Sequence, residues 1–301
     1  MELRQLKYFA KLAETLNFSE ASKALFITQS TLSQQIKQLE QELDIQLLQR
    51  NSHTVALTEA GEELLPCAME VLQNAKLCME KMNDLKQLLT GSLNIGVTYT
   101  FSPILTETLL AFMKSYPEVT LNIFYKPMDE LMEMLHNREV DFVLAFKPSR
   151  PAADVESHVL FQNYLSAVMS IDHPMANKDK ITLDELSKMP LALPSHGLQA
   201  RSTFEKVLPF NIYSKLKIKI QLNEVNILLK LIRKSKMVTV LAAATVHNEI
   251  GVKAIPIDLP DNEMAGCVHT LKDSYHKRSM KEFIRMLSES VAVREQFNAW
   301  I

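Results

Sequence analysis

Apolar residues recur every three or four positions through the first part of the chain, a spacing typical of packed helices. Residues 3–16 predict a first helix with the inward positions Leu6, Phe9, Ala10, Ala13 and Leu16. A short second helix follows, with Ser19 as its N-cap and Phe18 as a hydrophobic staple. Its packed side is formed by Ala21, Ala24 and Leu25. The chain therefore begins with two helices in close contact.

A third helix is predicted over residues 29–43, where Leu32, Ile36, Leu39 and Leu43 form one apolar stripe. Phe26 and Ile27 make the turn before it, and Thr28 is its predicted N-cap. The opposite face is polar and mostly neutral, with Gln29, Ser30, Thr31, Ser33, Gln34, Lys37, Gln38 and Gln41. Residues 45–57 predict a short hairpin with Arg50 and His53 near its tip. Together these elements predict a winged helix-turn-helix.

One long amphipathic helix is predicted from Thr58 to about Leu89. Its apolar positions alternate in steps of four and three, at Leu64, Ala68, Val71, Ala75, Cys78, Met82, Leu85 and Leu89. Such a heptad seam requires a partner helix, and ~30 residues would span ~45 Å, which is long for a core helix. Pro66 predicts a kink or loose first turns. The alternative is a buried core helix, but the unbroken seam favours dimerisation.

After Gly91 the pattern changes to alternating strands and helices, which predicts parallel sheets. A first set of strands and helices ends at residue 146, and a second set runs over 163–246, where 238–246 are predicted as one strand. A last strand and a helix over 279–301 close the chain. We infer two α/β subdomains joined by crossing strands, with a cleft between them. The predicted domains are 1–58, 59–90 and 91–301, the last divided into subdomain I (about 91–160 and 268–301) and subdomain II (about 161–267).

Composition adds little that favours DNA binding. The chain of 301 residues has a formal net charge of −2, and the basic residues of its first sixty positions are matched by acidic ones. Because non-specific phosphate affinity scales with basic groups, a DNA-binding role must rest on the arrangement of residues. The polar N-terminus and the absence of an apolar run of ~18 residues predict a cytoplasmic protein without a membrane segment. Three scattered cysteines, Cys67, Cys78 and Cys267, argue against a disulfide framework.

The sequence also argues against several enzyme classes. None of its six glycines forms a G-x-G pair, and H-E-x-x-H, G-x-S-x-G and C-x-x-C are absent. We therefore expect no catalytic residues, no metal and no cofactor. Two alternatives remain: a solute-binding protein built on the C-terminal two-thirds, and an enzyme using His196 as a base. The first does not explain the N-terminal helices, and no acid–nucleophile group supports the second.

The neutral polar face of the third helix suits the reading of DNA sequence. A recognition helix places its N-terminal residues at base edges in the major groove, where Gln can pair bidentately with adenine and Ser or Thr can donate or accept. A dimer would set two such helices on half-sites ~34 Å apart or at multiples of that distance. The alternative is an ordinary solvated face, but the capped helix before it and the wing after it favour DNA.

The N-terminal sequence closely resembles the winged helix-turn-helix of LysR-type transcriptional regulators. The resemblance is carried by Phe18-Ser19-x-Ala21-Ser22, Gln29-Ser30-x-Leu32-Ser33-x-Gln35-Ile36, Leu39-Glu40 and Leu57-Thr58-Glu59-Ala60-Gly61. It continues through "GSLNIGV", "FMKSYPEVTL" and "REVDFVLAF", and so covers essentially the whole chain. It implies a bacterial activator or repressor, an effector-binding domain of the periplasmic-binding-protein type over 91–301, and usually a tetramer made from two dimers.

The resemblance also assigns DNA-facing positions. These are Gln29, Ser30, Thr31, Ser33, Gln34 and Lys37 on the third helix, with Arg50 as the basic residue of the wing and His53 beside it. Asp44 stands where the family usually has Gly, and the wing reads Asn51-Ser52-His53-Thr54 where a further Arg is common. Both departures weaken attraction to phosphates. We therefore expect modest non-specific affinity and a shallow salt dependence, far from the ~10⁵-fold loss of a protein that contacts many phosphates.

Two strand-to-helix loops are the predicted effector site, since ligands in such sheets lie beyond the strand ends. The first loop contributes Thr98, Tyr99, Thr100, Phe101 and Ser102, and the second Ser195, His196, Gly197, Gln199 and Arg201. The family resemblance places the effector between them, with Phe146 at the end of a neighbouring strand. The alternative for each Ser and Thr is ordinary turn and capping chemistry. Hydroxyls with one nearby Arg suit a small anion or small polar acid better than a large apolar ligand.

The first loop and "LIRKSKMVTVLAAA" are similar to the cyanate-operon activator branch of the family, which indicates a small effector. Cys267 lacks a second cysteine in the sensory domain, which argues against a peroxide-type disulfide switch, and Cys67 and Cys78 are predicted as buried seam residues. We expect effector binding to change the angle between the subdomains and so to move the linker helices within the tetramer. The expected partners are double-stranded operator DNA, the effector, further copies of the chain and RNA polymerase.

Overall fold

The computed structural model describes residues 1–50, 55–85, 90–148, 150, 152–247, 249–272, 274–290 and 293. The chain divides into two compact units, Met1–Leu88 and Leu89–Ile301. The helices of the first unit are α1 (Leu3–Thr15), α2 (Phe18–Ala24), α3 (Gln29–Leu43) and α4 (Glu59–Leu85). Its strands are β1 (Leu48–Arg50) and β2 (Val55–Leu57), which pair antiparallel as the predicted wing.

The N-caps fix the start of each helix in the first unit. Thr28 caps α3 as predicted, because its Oγ1 accepts from the Thr31 N–H at 3.1 Å. The prediction of Ser19 for α2 was wrong. Asn17 is the cap, and its Oδ1 accepts from the Ser19 N–H at 2.9 Å and the Glu20 N–H at 3.2 Å. Asn is as strong an N-cap as Ser, so α2 begins earlier and includes Phe18.

The apolar stripes of α1 and α3 meet in one small core. Its fully buried members include Leu6, Phe9, Leu12, Leu32, Ile36 and Leu39. The inward placement of Leu16 and Leu43 was wrong, since both side chains are exposed. Leu16 follows α1 in a left-handed conformation, and Leu43 is the last residue of α3, so neither is on a continuing helical face. Ala24, the last residue of α2, is exposed for the same reason.

The wing is tied to α3 and α4 by polar contacts at its base. Glu40 Oε1 accepts from the backbone N–H groups of Leu47 and Leu48, at 3.0 and 3.2 Å. Gly61, in the first turn of α4, lies against Leu47, and a Cβ at this position would be 2.2 Å from the Leu47 carbonyl oxygen. Only glycine allows this approach. His53 lies outside the described residues, and Arg50 is described only as the backbone end of β1.

Helix α4 runs without a break through Pro66. Its N-terminal half joins the small core, where Ala68 is buried. Further along, the side chains of Val71, Met79 and Met82 are exposed in the single chain. Cys67 and Cys78 are exposed as well, so their expected burial is wrong for one copy of the protein. The seam residue Leu89 lies outside the described residues.

The second unit alternates strands and helices as predicted. Its strands are β3 (Gly91–Val97), β4 (Val119–Tyr125), β5 (Phe142–Phe146), β6 (Val155–Ser170), β7 (Pro190–Pro194), β8 (Lys217–Leu222), β9 (Thr239–Ala242), β10 (Val252–Pro256) and β11 (Glu263–Leu271). Its helices are α5 (Ser102–Ser115), α6 (Met128–His136), α7 (Leu183–Lys188), α8 (Gln199–Val207), α9 (Phe210–Tyr213), α10 (Val225–Arg233) and α11 (Arg278–Glu289).

Two long antiparallel strands join the two subdomains. The first part of β6 pairs with β11 and its last part pairs with β9 and β10. The resulting order is β10-β6-β11-β5-β3-β4, with β3 parallel to both β4 and β5, while β7 and β8 form a separate parallel pair. The predicted crossing strands are therefore confirmed. Strand β10 was missed, since it is short and follows directly on a turn at Gly251.

The predicted strand over 238–246 is only half correct. Strand β9 ends at Ala242, and Ala243–Val246 form a 3-10 turn. Asn163 on β6 fixes this turn, because its side-chain Oδ1 accepts from the Ala244 N–H at 3.2 Å. Burial alone could not reveal the turn, since β9 and the residues after it are nearly all apolar or small. Within the described part of the chain, no helix is both long and apolar enough to cross a membrane.

Candidate functional site

The outer face of α3 is a regular polar surface. Its predicted DNA-facing residues Gln29, Ser30, Thr31, Gln34 and Lys37 are exposed, and Ser33 is half-buried. The first turn is ordered by side-chain bonds, because Thr28 Oγ1 lies 2.9 Å from Ser30 Oγ and 2.8 Å from Thr31 Oγ1. Gln29 Oε1 accepts from Ser19 Oγ at 3.1 Å, which joins α2 to α3.

Further along α3, two polar side chains are free to bind. Gln34 and Lys37 form no hydrogen bond or ion pair with any described residue. The helix ends at Asp44, which adopts the left-handed conformation (φ 52°) at the position where LysR-type regulators usually have glycine. The chain therefore makes the expected turn with a non-glycine residue. The polar face thus begins with ordered hydroxyls and includes two unpaired groups, Gln34 and Lys37, that can take partners from outside the chain.

Phe26 was predicted only as a turn residue, but it is the most exposed large apolar side chain described, at 95%. It takes a positive φ of 56° immediately before the cap of α3. The aromatic ring is therefore held in water close to the first turn of α3. The signal in the sequence was an aromatic residue at the turn, outside both helical stripes.

A cleft of about 580 Å³ lies in the second unit, beyond the carboxyl ends of β3, β4, β7 and β8. Of the predicted effector residues, seven line it: Thr98, Tyr99, Thr100, Ser195, His196, Gly197 and Gln199. The two predicted loops thus face the same space from opposite subdomains. Ligand sites of open α/β sheets occupy this position.

Sequence reasoning missed six polar or aromatic residues that also line the cleft. These are Tyr125, Lys126, Glu130, Asn223, Glu224 and Thr245. Tyr125 ends β4, Asn223 follows β8, and Thr245 lies in the turn after β9. Most of these residues lie at or shortly after the end of a strand, which is the same position that predicted the two loops.

Four predicted effector residues do not line this cleft. Phe101 is fully buried, with its ring centroid 5.3 Å from that of Phe161 and 6.0 Å from that of Phe146, which is itself buried. Ser102 Oγ donates to the Tyr99 carbonyl at 2.7 Å, a local bond at the start of α5. These three side chains therefore pack or bond inside the protein and do not line the cleft. The fourth residue is Arg201.

Arg201 is only 1% exposed and is held by its own helix and by α9. Its Nε donates to Glu205 Oε1 at 2.7 Å and its Nη2 to the Tyr213 hydroxyl at 3.1 Å. Burial alone would raise the pKa of Glu205, but the hydrogen bond and charge of Arg201 lower it overall. The guanidinium charge is thus used to hold α8 and α9 together. This Arg–Glu pair has i,i+4 spacing, a signal already present in the sequence.

Three hydrogen-bonded contacts join the subdomains across the cleft. The Tyr99 hydroxyl donates to Asn226 Oδ1, and Thr245 Oγ1 donates to Thr100 Oγ1 at 3.3 Å. Gln199 makes a two-bond contact with the end of β5, since its Oε1 accepts from the Phe146 N–H at 3.1 Å and its Nε2 donates to the Phe146 carbonyl at 2.9 Å. These hydrogen bonds therefore hold the two walls of the cleft together, and we call this arrangement the latched cleft.

The charges at the cleft are mainly acidic. Lys126 Nζ is 3.0 Å from Glu130 Oε2 and so is already paired. Glu224 Oε1 accepts from the Asn226 N–H at 3.2 Å as the N-cap of α10. Burial, followed by the charges of Glu249 and Glu224, raises the pKa of Tyr99 to about 12. Tyr99 therefore stays a hydroxyl donor throughout the physiological range. Among the described residues, no group of His, Cys, Asp or Glu is arranged to hold a metal ion.

Comparison with known proteins covers both units. Residues 3–62 match the family described as "Bacterial regulatory helix-turn-helix protein, lysR family", and residues 86–292 match the "LysR substrate binding domain". An uncharacterised regulator of Escherichia coli, YnfL, is 35% identical over 192 residues. That alignment spans 63% of this chain and 64% of the relative, which is less than two-thirds of the relative's length.

Solved structures share the fold at low sequence identity. A full-length OxyR variant of Pseudomonas aeruginosa superimposes with a TM-score of 0.71 at 23% identity, covering 98% of this chain and 95% of that one. CbnR in complex with its target DNA gives 0.66 at 21% identity, covering 98% and 100%. The resemblance stated from the sequence is thus confirmed over both domains. The chain belongs to the LysR family of bacterial transcriptional regulators, which are not enzymes, and combines a helix-turn-helix domain with an effector-binding domain.

Proposed function

We propose that this regulator reads operator DNA with the exposed face of α3 and that a small polar effector in the cleft controls it. The observation that carries the proposal is the capped α3 with its neutral, exposed and partly unpaired polar groups beside a wing. Gln29, Ser30, Thr31, Ser33 and Gln34 would contact base edges. Lys37, with Arg50 and His53 of the wing, would contact phosphates and position the helix.

Dimerisation through α4 supports this role. The exposed Val71, Cys78 and Met82 are steps of the heptad seam, and on a solitary chain they leave apolar surface in water. A second α4 would cover that surface. Two dimers would then form the tetramer usual in the family, with RNA polymerase as a further contact. A regulator of bacterial promoters works in the cytoplasm, where the chromosome lies.

The latched cleft supports a mechanism of control. Tyr99–Asn226, Thr100–Thr245 and Gln199–Phe146 hold the subdomains in the described arrangement. An effector that binds Thr100 or Gln199 competes with these contacts and favours a different angle between the subdomains. The response depends on the difference in effector affinity between the two arrangements. The changed angle would move the α4 pairs and so the spacing of the recognition helices.

The proposal is tested with the full-length protein and the DNA upstream of its own gene. We expect a retarded complex in a gel-shift assay at low ionic strength, competed by the same fragment but not by a scrambled one. Sedimentation of the free protein should give a dimer or tetramer. A monomer that ignores this fragment at low salt would contradict the proposal.

A further inference from the structure

The cleft has no free cation to receive a simple anion. Among the described residues, only Lys126 and His196 line it with basic side chains. Lys126 is paired with Glu130 at 3.0 Å, and His196 Nδ1 lies 3.4 Å from Glu205 Oε1. Arg201, the residue expected to bind an anion, is buried against Glu205 and Tyr213. A ligand with only negative charge would therefore meet no unpaired positive side chain in the cleft.

One wall of the cleft is negative. Glu224 lines it and shares one carboxylate oxygen with the Asn226 N–H, which leaves Oε2 without a bond to any described residue. Tyr99 lies beside this wall, and the charges of Glu249 and Glu224 contribute to its raised pKa of about 12. Glu249 is paired with Arg233 and Glu130 with Lys126, each at 3.0 Å, whereas Glu224 has no cationic partner among the described residues. Such a group attracts an ammonium ion.

The cleft also supplies neutral donors, two of them on the same wall as Glu224, since Asn223 precedes it and the Ser195 N–H donates to the Leu222 carbonyl. The side chains of Ser195 and Asn223 line the cleft and form no hydrogen bond with a described residue. Thr100 Oγ1 accepts from Thr245 and keeps its own proton for donation. Hydroxyl and amide donors of this kind bind a carboxylate without a full positive charge. The cleft thus offers neutral donors together with a carboxylate that has no cationic partner among the described residues.

We propose that the effector is a small zwitterionic acid, with its ammonium group on Glu224 and its carboxylate on the donors Thr100, Ser195 and Asn223. This inference rests on the proposed effector role of the cleft. The sequence left two classes open, a small anion and a small polar acid, and the charges of the cleft favour a polar acid that also carries an amine. The volume of about 580 Å³ admits molecules of amino-acid size.

The test compares matched ligands on the full-length protein by thermal shift and isothermal titration. The probes are the twenty L-amino acids, the desamino acid that corresponds to each, inorganic sulfate and inorganic phosphate. At least one amino acid should bind at least tenfold more tightly than its desamino partner, because a charge-assisted hydrogen bond is lost with the amine. Glu224→Gln should weaken that amino acid about tenfold and leave its desamino partner unchanged. Glu118→Gln, an exposed carboxylate outside the cleft lining, is the matched control.

Equal or tighter binding of the desamino acids, sulfate or phosphate would overturn the inference. So would binding by none of the amino acids, or an unchanged affinity in Glu224→Gln. The gel shift with the upstream fragment is repeated on the same preparation. Operator binding without amino-acid binding rejects this inference alone, whereas loss of operator binding rejects the proposed function.

Discussion

The outer face of α3 and the cleft of the second unit both present neutral polar side chains, but they organise them differently. On α3 the groups lie on one rigid helix, and two of them, Gln34 and Lys37, have no partner among the described residues. In the cleft, polar groups from five segments of the chain meet, and Tyr99, Thr100 and Gln199 are already bonded across it.

This difference determines how each surface can respond to a ligand. A face with unpaired groups on a fixed helix binds without rearrangement, so its specificity depends on the side chains themselves. A cleft whose groups are bonded to one another must break contacts to bind, so occupancy is coupled to the angle between its walls. The first arrangement suits recognition of DNA sequence, and the second suits a switch.

The largest expected effect is a loss of stability when a glycine near each surface is replaced by alanine. Gly61→Ala places a Cβ 2.2 Å from the Leu47 oxygen and should destabilise the first unit by about 3 kcal/mol, because backbone must move. Gly197→Ala, at φ +89° with no atom within 4 Å, should cost only about 1 kcal/mol. Calorimetry and gel shifts measure both. Equal losses in the two variants would contradict the packing argument.

The next effect concerns the unpaired groups of α3. Gln34→Ala should weaken specific operator binding by about tenfold to a hundredfold, since a bidentate base contact contributes roughly 1–3 kcal/mol. Lys37→Ala should weaken all DNA sequences alike and reduce the salt slope by about one. Gln41→Ala, at the far end of the same face, is the control and should change little. Fluorescence anisotropy over a range of salt concentrations distinguishes these outcomes.

In the cleft, a single hydroxyl should affect the response more than stability. Thr100→Val removes the 3.3 Å contact with Thr245, at a cost of about 1 kcal/mol, and removes a donor for the effector. We expect operator binding to persist while the effector response is lost in a promoter-reporter assay. Thr106→Val, in α5 and outside the cleft lining, is the control. If operator binding were lost as well, the role given to Thr100 would be wrong.

The smallest expected effect is a pH dependence of protein stability that comes from His269 on β11. The His269 Nε2–H donates to the Ala145 carbonyl at 3.2 Å, so Nδ1 accepts from Ser157 Oγ at 2.8 Å and the ring is neutral. Burial lowers the pKa of His269 below its ordinary value of 6.5. The unfolded chain therefore binds the proton more readily, and stability present above pH 6.5 is lost as the pH falls.

Urea unfolding at pH 7.5 and 5.5 measures this loss. His269→Asn should show a smaller difference between the two pH values than the wild type. Burial also lowers the pKa of His173, so His173→Asn is measured as the comparison. A wild-type protein that is equally stable at both pH values would contradict the prediction.

The sequence predicted α3 well because a single periodicity determines which residues face outward. The cleft was predicted less completely. Residues of the two loops that follow β3 and β7 were found, but Glu224 and Thr245 follow other strands that meet them only through the sheet order. Arg201 was assigned to the ligand because its loop was considered alone. Its bond to Tyr213 on α9 depends on tertiary structure, although its pairing with Glu205 was readable from the helical spacing.

Because its cysteines differ in accessibility, labelling of the wild-type protein can measure its assembly. Burial raises the pKa of the Cys267 thiol to about 11, whereas Cys67 and Cys78 are exposed on α4. A maleimide fluorophore should therefore label α4 and spare the second unit without any engineered cysteine. Both cysteines were predicted as seam residues, but only Cys78 occupies one of the apolar heptad positions, so pairing of two helices should slow labelling at Cys78 more than at Cys67. The ratio of the two labelling rates would follow assembly as the protein is diluted.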